Sequence, residues 1–386
     1  MKKFFAKIHL WLSIPFGIII AIVCLTGAIL VFETEILELC YPSRYFVKEV
    51  KGEVLSPAVL MSAAGQLPDS IKINGIRVSS DPKRTYQLIL PGKKAACFIN
   101  PYTGEITGID DGKGFFMKMM RLHRWLLDEY KRDGSFAWGK TIVGYSTLVL
   151  VIIIISGLVI WYPRNKKVLK NRLKIKTKAG WFRFLYDLHV SGGFYAALLL
   201  LVLALTGLTW SFGWYRDAFY TVFGISTTSK QTHAPASSSP QKTSGDRGLK
   251  KHPKTDYTQW AEVLADLQSR YPEYKSIAIQ DGSATVSTAT YGNTRGSDRY
   301  SFAPATGKIT EIQLYKDLPK SAKIRGWIYS VHAGTWGGMA TRILSCLVSL
   351  LGAVFAIPAT IFGSRRNSGS PYKSKQAQAC FACRNA

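Results

Sequence analysis

Four stretches of about 20 residues, 10–32, 142–162, 192–214 and 343–362, carry almost no charge. As a helix rising 1.5 Å per residue, each is long enough to cross a hydrocarbon core about 30 Å thick. Such windows leave a chain few alternatives. Inside lipid every backbone N–H and C=O must be paired within its own segment, which selects helices. The reading is a four-span integral membrane protein. The first window follows Lys2, Lys3 and Lys7, as the core of a signal peptide would. Its apolar run exceeds the roughly 7–15 residues of a cleavable leader and no A-x-A site follows, so it is expected to stay as an anchor.

The formal net charge of +26 invites a nucleic-acid partner, but its distribution argues for topology instead. Residues 163–185 hold Arg164, Lys166, Lys167, Lys170, Arg172, Lys174, Lys176, Lys178 and Arg183 and no acid. A short, wholly basic loop belongs on the cytoplasmic side. The N-terminus and the tail at Arg365-Arg366 then lie inside, and the long segments 33–137 and 215–338 outside.

Between these landmarks the chain divides as follows. Residues 1–32 form the first span. Residues 33–114 read as a small outer α+β domain, with a helix at 57–67 and strands at 71–78, 85–90 and 95–99. Pro101-Tyr102-Thr103-Gly104 turns into Glu105-Ile106-Thr107. Phe115, Met119, Leu122 and Leu126 share helical spacing, so 115–137 reads as an amphipathic interfacial helix on the outer membrane surface, ended near Gly134. The second span is 138–162, the basic loop 163–185 and the third span 186–214. Residues 215–253 include a linker rich in Ser, Thr, Lys, Pro and Gly, expected to be disordered. A second outer α+β domain occupies 254–338, with a helix at 257–271, strands at 276–279, 284–289 and 299–302, and a turn at Pro304-Ala305-Thr306-Gly307. The fourth span is 339–363 and the tail 364–386.

An internal repeat underlies this order. His9, Thr26 and Gly27 recur 180 residues later as His189, Thr206 and Gly207, and P-Y-T-G-E-I-T at 101–107 recurs as P-A-T-G-K-I-T at 304–310. Each half is span, outer domain, histidine segment, span, in parallel orientation. Four of the six histidines take matching places. His9 and His189 precede spans one and three at the cytoplasmic face; His123 and His332 precede spans two and four at the outer face. His233 and His252 fall in the linker. Only same-side pairing is geometrically possible, since most of the bilayer separates the two levels. Two neutral imidazoles facing each other across a bundle suit an iron porphyrin with both axial positions filled. Gly192 and Gly193 after His189, and Gly334, Gly337 and Gly338 after His332, would let a macrocycle approach the backbone. A protein-ligated zinc fits less well, because no Cys, Asp or Glu accompanies these histidines at ligand spacing. The alternative is that interfacial histidines merely anchor helix ends, as Trp and Tyr do.

The segments K-I-H-L-W-L…C-L-T-G-A at 7–28, R-L-H-R-W-L-L at 121–127, D-L-H-V-S-G-G…L-T-G at 187–207 and V-H-A-G-T-W-G-G at 331–338 resemble the PepSY-associated transmembrane helix family. It includes iron-regulated inner-membrane proteins and siderophore reductases of bacteria. The resemblance runs to about Arg366, and the outer domains resemble PepSY domains. It implies a protein of the bacterial inner membrane with two b-type haems, ligated by His9, His123, His189 and His332, that carries electrons outward to reduce ferric iron in siderophores.

Two readings follow. In the first, the chain is a transmembrane electron conduit and ferric-siderophore reductase. No G-x-G-x-x-G follows a strand, so electrons would come from a membrane quinol or a separate reductase. Arg121, Arg124 and Arg342 could pair with outer-haem propionates, or serve only as interfacial cations. In the second, a non-redox anchor displays PepSY domains as interaction or peptidase-modulating modules. A coupled transporter is disfavoured by uncharged spans. Cys40 and Cys97 share the first outer domain, where a disulfide is permitted. Cys24 and Cys346 lie in spans as packing residues, and Cys380-x-x-Cys383 resembles a metal or redox pair.

Overall fold

The computed structural model describes residues 1–66, 72–92, 94–128, 136–163, 165–178, 180–225 and 257–367, the last dozen by helix path alone. The expected linker, His233, His252, Gly134 and the Cys380/Cys383 pair lie outside these residues. The helices are α1 (Lys2–Val31), α2 (Glu33–Cys40), α3 (Pro42–Tyr45), α4 (Pro57–Ala63), α5 (Phe115–Trp125), α6 (Trp138–Trp161) and α7 (Lys166–Arg172). They continue with α8 (Trp181–Asp187), α9 (Gly193–Ser211), α10 (Gly213–Val222), α11 (Thr258–Arg270), α12 (Lys320–His332) and α13 (Gly338–Asn367). The chain falls into two compact units, one of residues 1–31, 118–212 and 342–386, the other of 32–117 and 213–341.

Four helical segments are apolar and long enough to cross a membrane: Lys2–Val31, Trp138–Trp161 and Trp181–Ser211 in the first unit, and Thr335–Phe355, which enters that unit at Arg342. Between 22% and 39% of their most apolar stretches is buried inside the protein, so most of that apolar surface faces outward, where only lipid suits it. Most of the buried positions are small or hydroxylic, among them Ser13, Gly17, Thr26 and Ala28 on α1, Gly139, Gly144, Ser146 and Ser156 on α6, and Ala196, Ala197 and Ala204 on α9, with Ile20, Ile154 and Leu200 between them. Lipid offers no hydrophobic drive for helices to associate, and small residues let the backbones approach closely instead. α1 packs along α6 and α6 along α9. Between α8 and α9 the chain makes one π-helical turn, Leu188–Gly192, a distortion frequent at functional sites.

The second unit is a single eight-stranded antiparallel sheet. Its strands are β1 (Gly75–Ser79), β2 (Tyr86–Ile89), β3 (Ala96–Ile99), β4 (Ile106–Asp110), β5 (Ser276–Gln280), β6 (Ser283–Ser287), β7 (Asp298–Phe302) and β8 (Ile309–Gln313). Their order is β4-β3-β2-β1-β5-β6-β7-β8. Each half is a meander followed outward from a central seam, where Ile76 pairs with Ile279 and Val78 with Ile277. Both halves slip register at the same place, Phe98/Ile99 and Ser301/Phe302. In both, the expected turn then carries a glycine with positive φ, +72° at Gly104 and +65° at Gly307, where any other residue is strained.

Two sequence expectations are corrected here. The segments 33–114 and 254–338 were expected as separate domains, yet they share one sheet and one core, with Leu60, Ile76, Leu88 and Ile99 packed with Trp260, Leu267, Ile277 and Ile279. Each meander alone would leave its first strand as a bare edge, and pairing β1 with β5 removes both edges. Gly75 permits it, because a Cβ there would lie 2.3 Å from the Ile279 carbonyl oxygen. The second correction concerns the interfacial helix expected over 115–137. It stops at Trp125, where Leu126 and Leu127 take φ of +50° and +67°. The Arg121 guanidinium donates to the Leu127 carbonyl at 3.0 Å. The end of α5 then packs against α6, and Gly139 leaves room for the Trp125 carbonyl oxygen, 1.7 Å from where a Cβ would stand.

Candidate functional site

Three of the four expected histidines belong to the membrane unit. His9, on the second turn of α1, points at α6. Its Nδ1 lies 3.0 Å from the Ile153 carbonyl oxygen and 3.2 Å from Ser156 Oγ. His123, on the last turn of α5, points at α1, with Nδ1 2.9 Å from the Val23 carbonyl oxygen and 3.2 Å from Thr26 Oγ1. A carbonyl oxygen only accepts, so in each ring Nδ1 carries the proton and Nε2 keeps its lone pair. Histidines that ligate metals are held in this way through their other nitrogen. Val23 lies 14 residues beyond His9 on α1, so the two imidazoles occupy levels about 21 Å apart. Burial lowers the His123 pKa below the usual histidine value, opposed by the Val23 hydrogen bond and reinforced by Arg124. Burial thus favours the neutral ring.

His189 sits on the π turn and faces His9, with ring centroids 6.1 Å apart and planes at 79°. Two imidazole nitrogens each ~2 Å from one metal ion, with their ring centres about 1 Å further back, would stand about 6 Å apart. The pair therefore has the spacing of two ligands on opposite sides of one ion. The His189 Nδ1 is buried and has no hydrogen-bond partner among the described residues, and the ring's edge meets Phe355 at 5.5 Å. The chain leading into His189 is pinned. Asp187, buried, pairs with Arg183 at 2.9 Å and accepts the Lys176 N–H at 3.1 Å. Ser191 donates to the carbonyls of Arg172 and Lys174 at 2.7 and 3.1 Å. The basic loop is thereby latched onto the turn that carries His189.

The two glycines after His189 differ. A Cβ on Gly192 would make only ordinary contacts, 3.4 Å from Leu188 and 3.5 Å from the Phe355 ring, so packing does not demand glycine there; a Cβ on Gly193 would meet nothing within 4 Å. His332 closes α12 in the sheet-bearing unit, followed by Gly334 and Gly338 with φ of +70° and +68°. The Arg342 guanidinium donates to the Val31 carbonyl and that of Arg124 lies 4.6 Å from the Trp125 ring. The disulfide permitted by sequence does not form: Cys40 is exposed, Cys97 is buried within β3, and both are free thiols. Among the described residues no group of three or more His, Cys, Asp or Glu could hold a metal ion.

Sequence reasoning missed Ser156, Gly157 and Asp187. The dipeptides Thr26-Gly27 and Thr206-Gly207 were noticed as a repeat, and Ser156-Gly157 is the same signal with serine in place of threonine.

The described residues hold four apolar helices, four histidines near their starts and an antiparallel sheet. The family pattern described as the PepSY-associated TM region matches residues 6–362. The chain belongs to this family. No curated protein matches it. As a member of the PepSY-associated TM family with four apolar helices, it is a membrane protein.

Proposed function

We propose that this PepSY-associated TM protein binds two b-type haems and passes electrons across a bacterial inner membrane to ferric iron held by siderophore-type chelators. The observation that carries the reading is the His9–His189 pair, whose spacing suits one metal ion and whose His9 ring already presents Nε2. His123, held in the same way about 21 Å along α1, supports a second station, for which His332 is the proposed partner. The spans then form a parallel internal repeat with cytoplasmic termini. The two halves of the sheet are PepSY-like in pattern and form one domain on the outer side, a placement supported by the basic loop.

Bound haem would supply reversible one-electron chemistry at iron. The chain's residues would do the rest: His9 and His189 hold one iron, His123 and His332 the other, and the Val23 and Ile153 carbonyls keep their imidazoles neutral and oriented. Open space at Gly193 suits a flat group beside His189. Electrons would enter from a membrane quinol or a separate reductase. Reduction loosens Fe(III) from hard-oxygen chelators, which releases it outside.

The test is an absorption spectrum of the full chain, purified from haem-supplied cells and reduced with dithionite. Haem b bands are expected, and their absence ends the proposal. A second reading, an anchor for peptide-binding modules, draws on β8, an edge strand with four of five residues exposed, to which an extended peptide could add. A chain without haem bands that binds unfolded peptides would favour it.

A further inference from the structure

The two held imidazoles share one construction on the helix each faces: a carbonyl, a hydroxyl three residues on, and a glycine next. These are Val23, Thr26 and Gly27 around His123, and Ile153, Ser156 and Gly157 around His9. The glycine removes a Cβ that would press on the ring's Cε1, at 3.1 Å for Gly27 and 3.2 Å for Gly157. The hydroxyl's proton is spent on its own helix. Thr26 Oγ1 donates to the carbonyls of Ile22 and Val23 at 2.6 and 3.1 Å, and Ser156 Oγ to that of Ile153 at 2.9 Å. A hydroxyl back-bonded in this manner offers the ring only lone pairs. Nδ1 thus faces two acceptors, which forbids the tautomer whose Nδ1 is bare.

On α9, Leu203, Thr206 and Gly207 repeat the spacing, and Thr206 is back-bonded to Val202 and Leu203 at 2.7 and 3.0 Å. On α13 the same register reads Val348, Leu351, Gly352. A leucine stands in place of the hydroxyl, and the absent Cβ of Gly352 faces Cys24 Sγ and Leu200 at 3.0 and 3.1 Å rather than an imidazole. His189 meets α13 one turn further on, at Phe355, and its Nδ1 has no hydrogen-bond partner among the described residues.

We infer that Thr26 and Ser156 are positioning residues that lock His123 and His9 to ligate through Nε2, and that His189, with no such lock, is the exchangeable ligand of its pair. The inference rests on the haem reading above. An imidazole with no partner at Nδ1 must give up tautomeric and rotational freedom to ligate, so its bond to a shared ion is the weaker of the two.

The experiment uses the full chain loaded with haem, following transfer of haem to excess apomyoglobin and the electron paramagnetic resonance of the ferric protein. Ser156→Ala and Thr26→Val should each speed the loss of a different haem about 10- to 100-fold, the usual reach of such outer partners. Ser156→Thr and Thr26→Ser should restore wild-type rates, which a packing role would not require. His189→Ala should keep its haem when imidazole is supplied, while His9→Ala should lose it. Haem-loaded chains in which Ser156→Ala and Thr26→Val release haem at the wild-type rate, or in which His9→Ala and His189→Ala behave alike, would overturn this inference and leave the haem reading intact. A wild-type chain with no haem bands overturns both.

Discussion

The junction of α5 and α6 gives the sharpest prediction, because one missing methyl group seats His123. Gly139 lies where its Cβ would stand 1.7 Å from the Trp125 carbonyl oxygen and 2.7 Å from Asp128 Cβ. Real Cβ contacts do not fall below 3.0 Å, so Gly139→Ala must push the end of α5 away by about 1.3 Å, the gap between 1.7 and 3.0 Å. His123 lies two residues before Trp125 on the same helical turn and moves with it. A displacement of that size takes Nδ1 from 2.9 Å to beyond hydrogen-bond range of Val23 and leaves a buried donor unpaired, at a cost of about 1–3 kcal/mol. The overpacking itself adds about 1–3 kcal/mol. Gly193→Ala is the control, since a Cβ there meets nothing within 4 Å. Thermal unfolding in detergent, followed by tryptophan fluorescence, should show Gly139→Ala several degrees below wild type. Amide exchange should quicken across 118–125. If Gly139→Ala unfolds with the wild type and its exchange is unchanged, α5 does not seat His123 as argued.

Four further outcomes test other parts of the structure. Gly193→Ala should raise the thermal stability of the haem-free chain slightly, as Ala exceeds Gly in helix propensity by about 1 kcal/mol, yet lower haem content if a porphyrin edge lies there; equal haem content would remove Gly193 from the site. Gly75→Val should open the sheet seam, seen as faster amide exchange in β1 and β5 with β3 and β7 still protected. Asp187→Asn should loosen the basic loop, raising trypsin cleavage after Lys174 and Lys176 several-fold with a stability loss of about 1 kcal/mol or less, because Arg183 is partly exposed and screened. Cys40 should react with an impermeant maleimide in intact cells and Cys97 only after unfolding. Burial pushes the Cys97 thiol up to about 11, so its reactive thiolate is scarce at neutral pH.

The parts legible in sequence were those encoded by local pattern. The spans follow from length and hydropathy. Three strands of each meander follow from alternation, to within a few residues: 276–279 became Ser276–Gln280 and 85–90 became Tyr86–Ile89, while the outermost strands, β4 and β8, were not read as strands. The turns at Gly104 and Gly307 follow from backbone demands that glycine meets. What stayed hidden depends on partners distant in the chain. Nothing in the alternation of β1 tells that its bare edge meets β5, some 200 residues on. The end of α5 was hidden for another reason. Leu126 and Leu127 take positive φ although neither is Gly or Asn, so tertiary contacts with α6 override the local preference.

For the histidines, sequence spacing singled out four positions, while their environments were not legible. The repeat predicts four equivalent sites, yet the held rings cross over within the first half. α1 carries His9 and supplies the carbonyl for His123; α6 supplies the carbonyl for His9 and begins just after the segment that carries His123. Each span therefore fixes the imidazole belonging to the other. Sliding α6 by one turn, about 5.4 Å, would unseat His9 from Ile153 and drag α5 and His123 off Val23 together. The relative height of α1 and α6 is thus set by two hydrogen bonds about 21 Å apart, and neither can be lost alone through such a slide. Two independent single-site losses, as Ser156→Ala and Thr26→Val should give, would therefore place their cause at the hydroxyls and not in a shift of the helices.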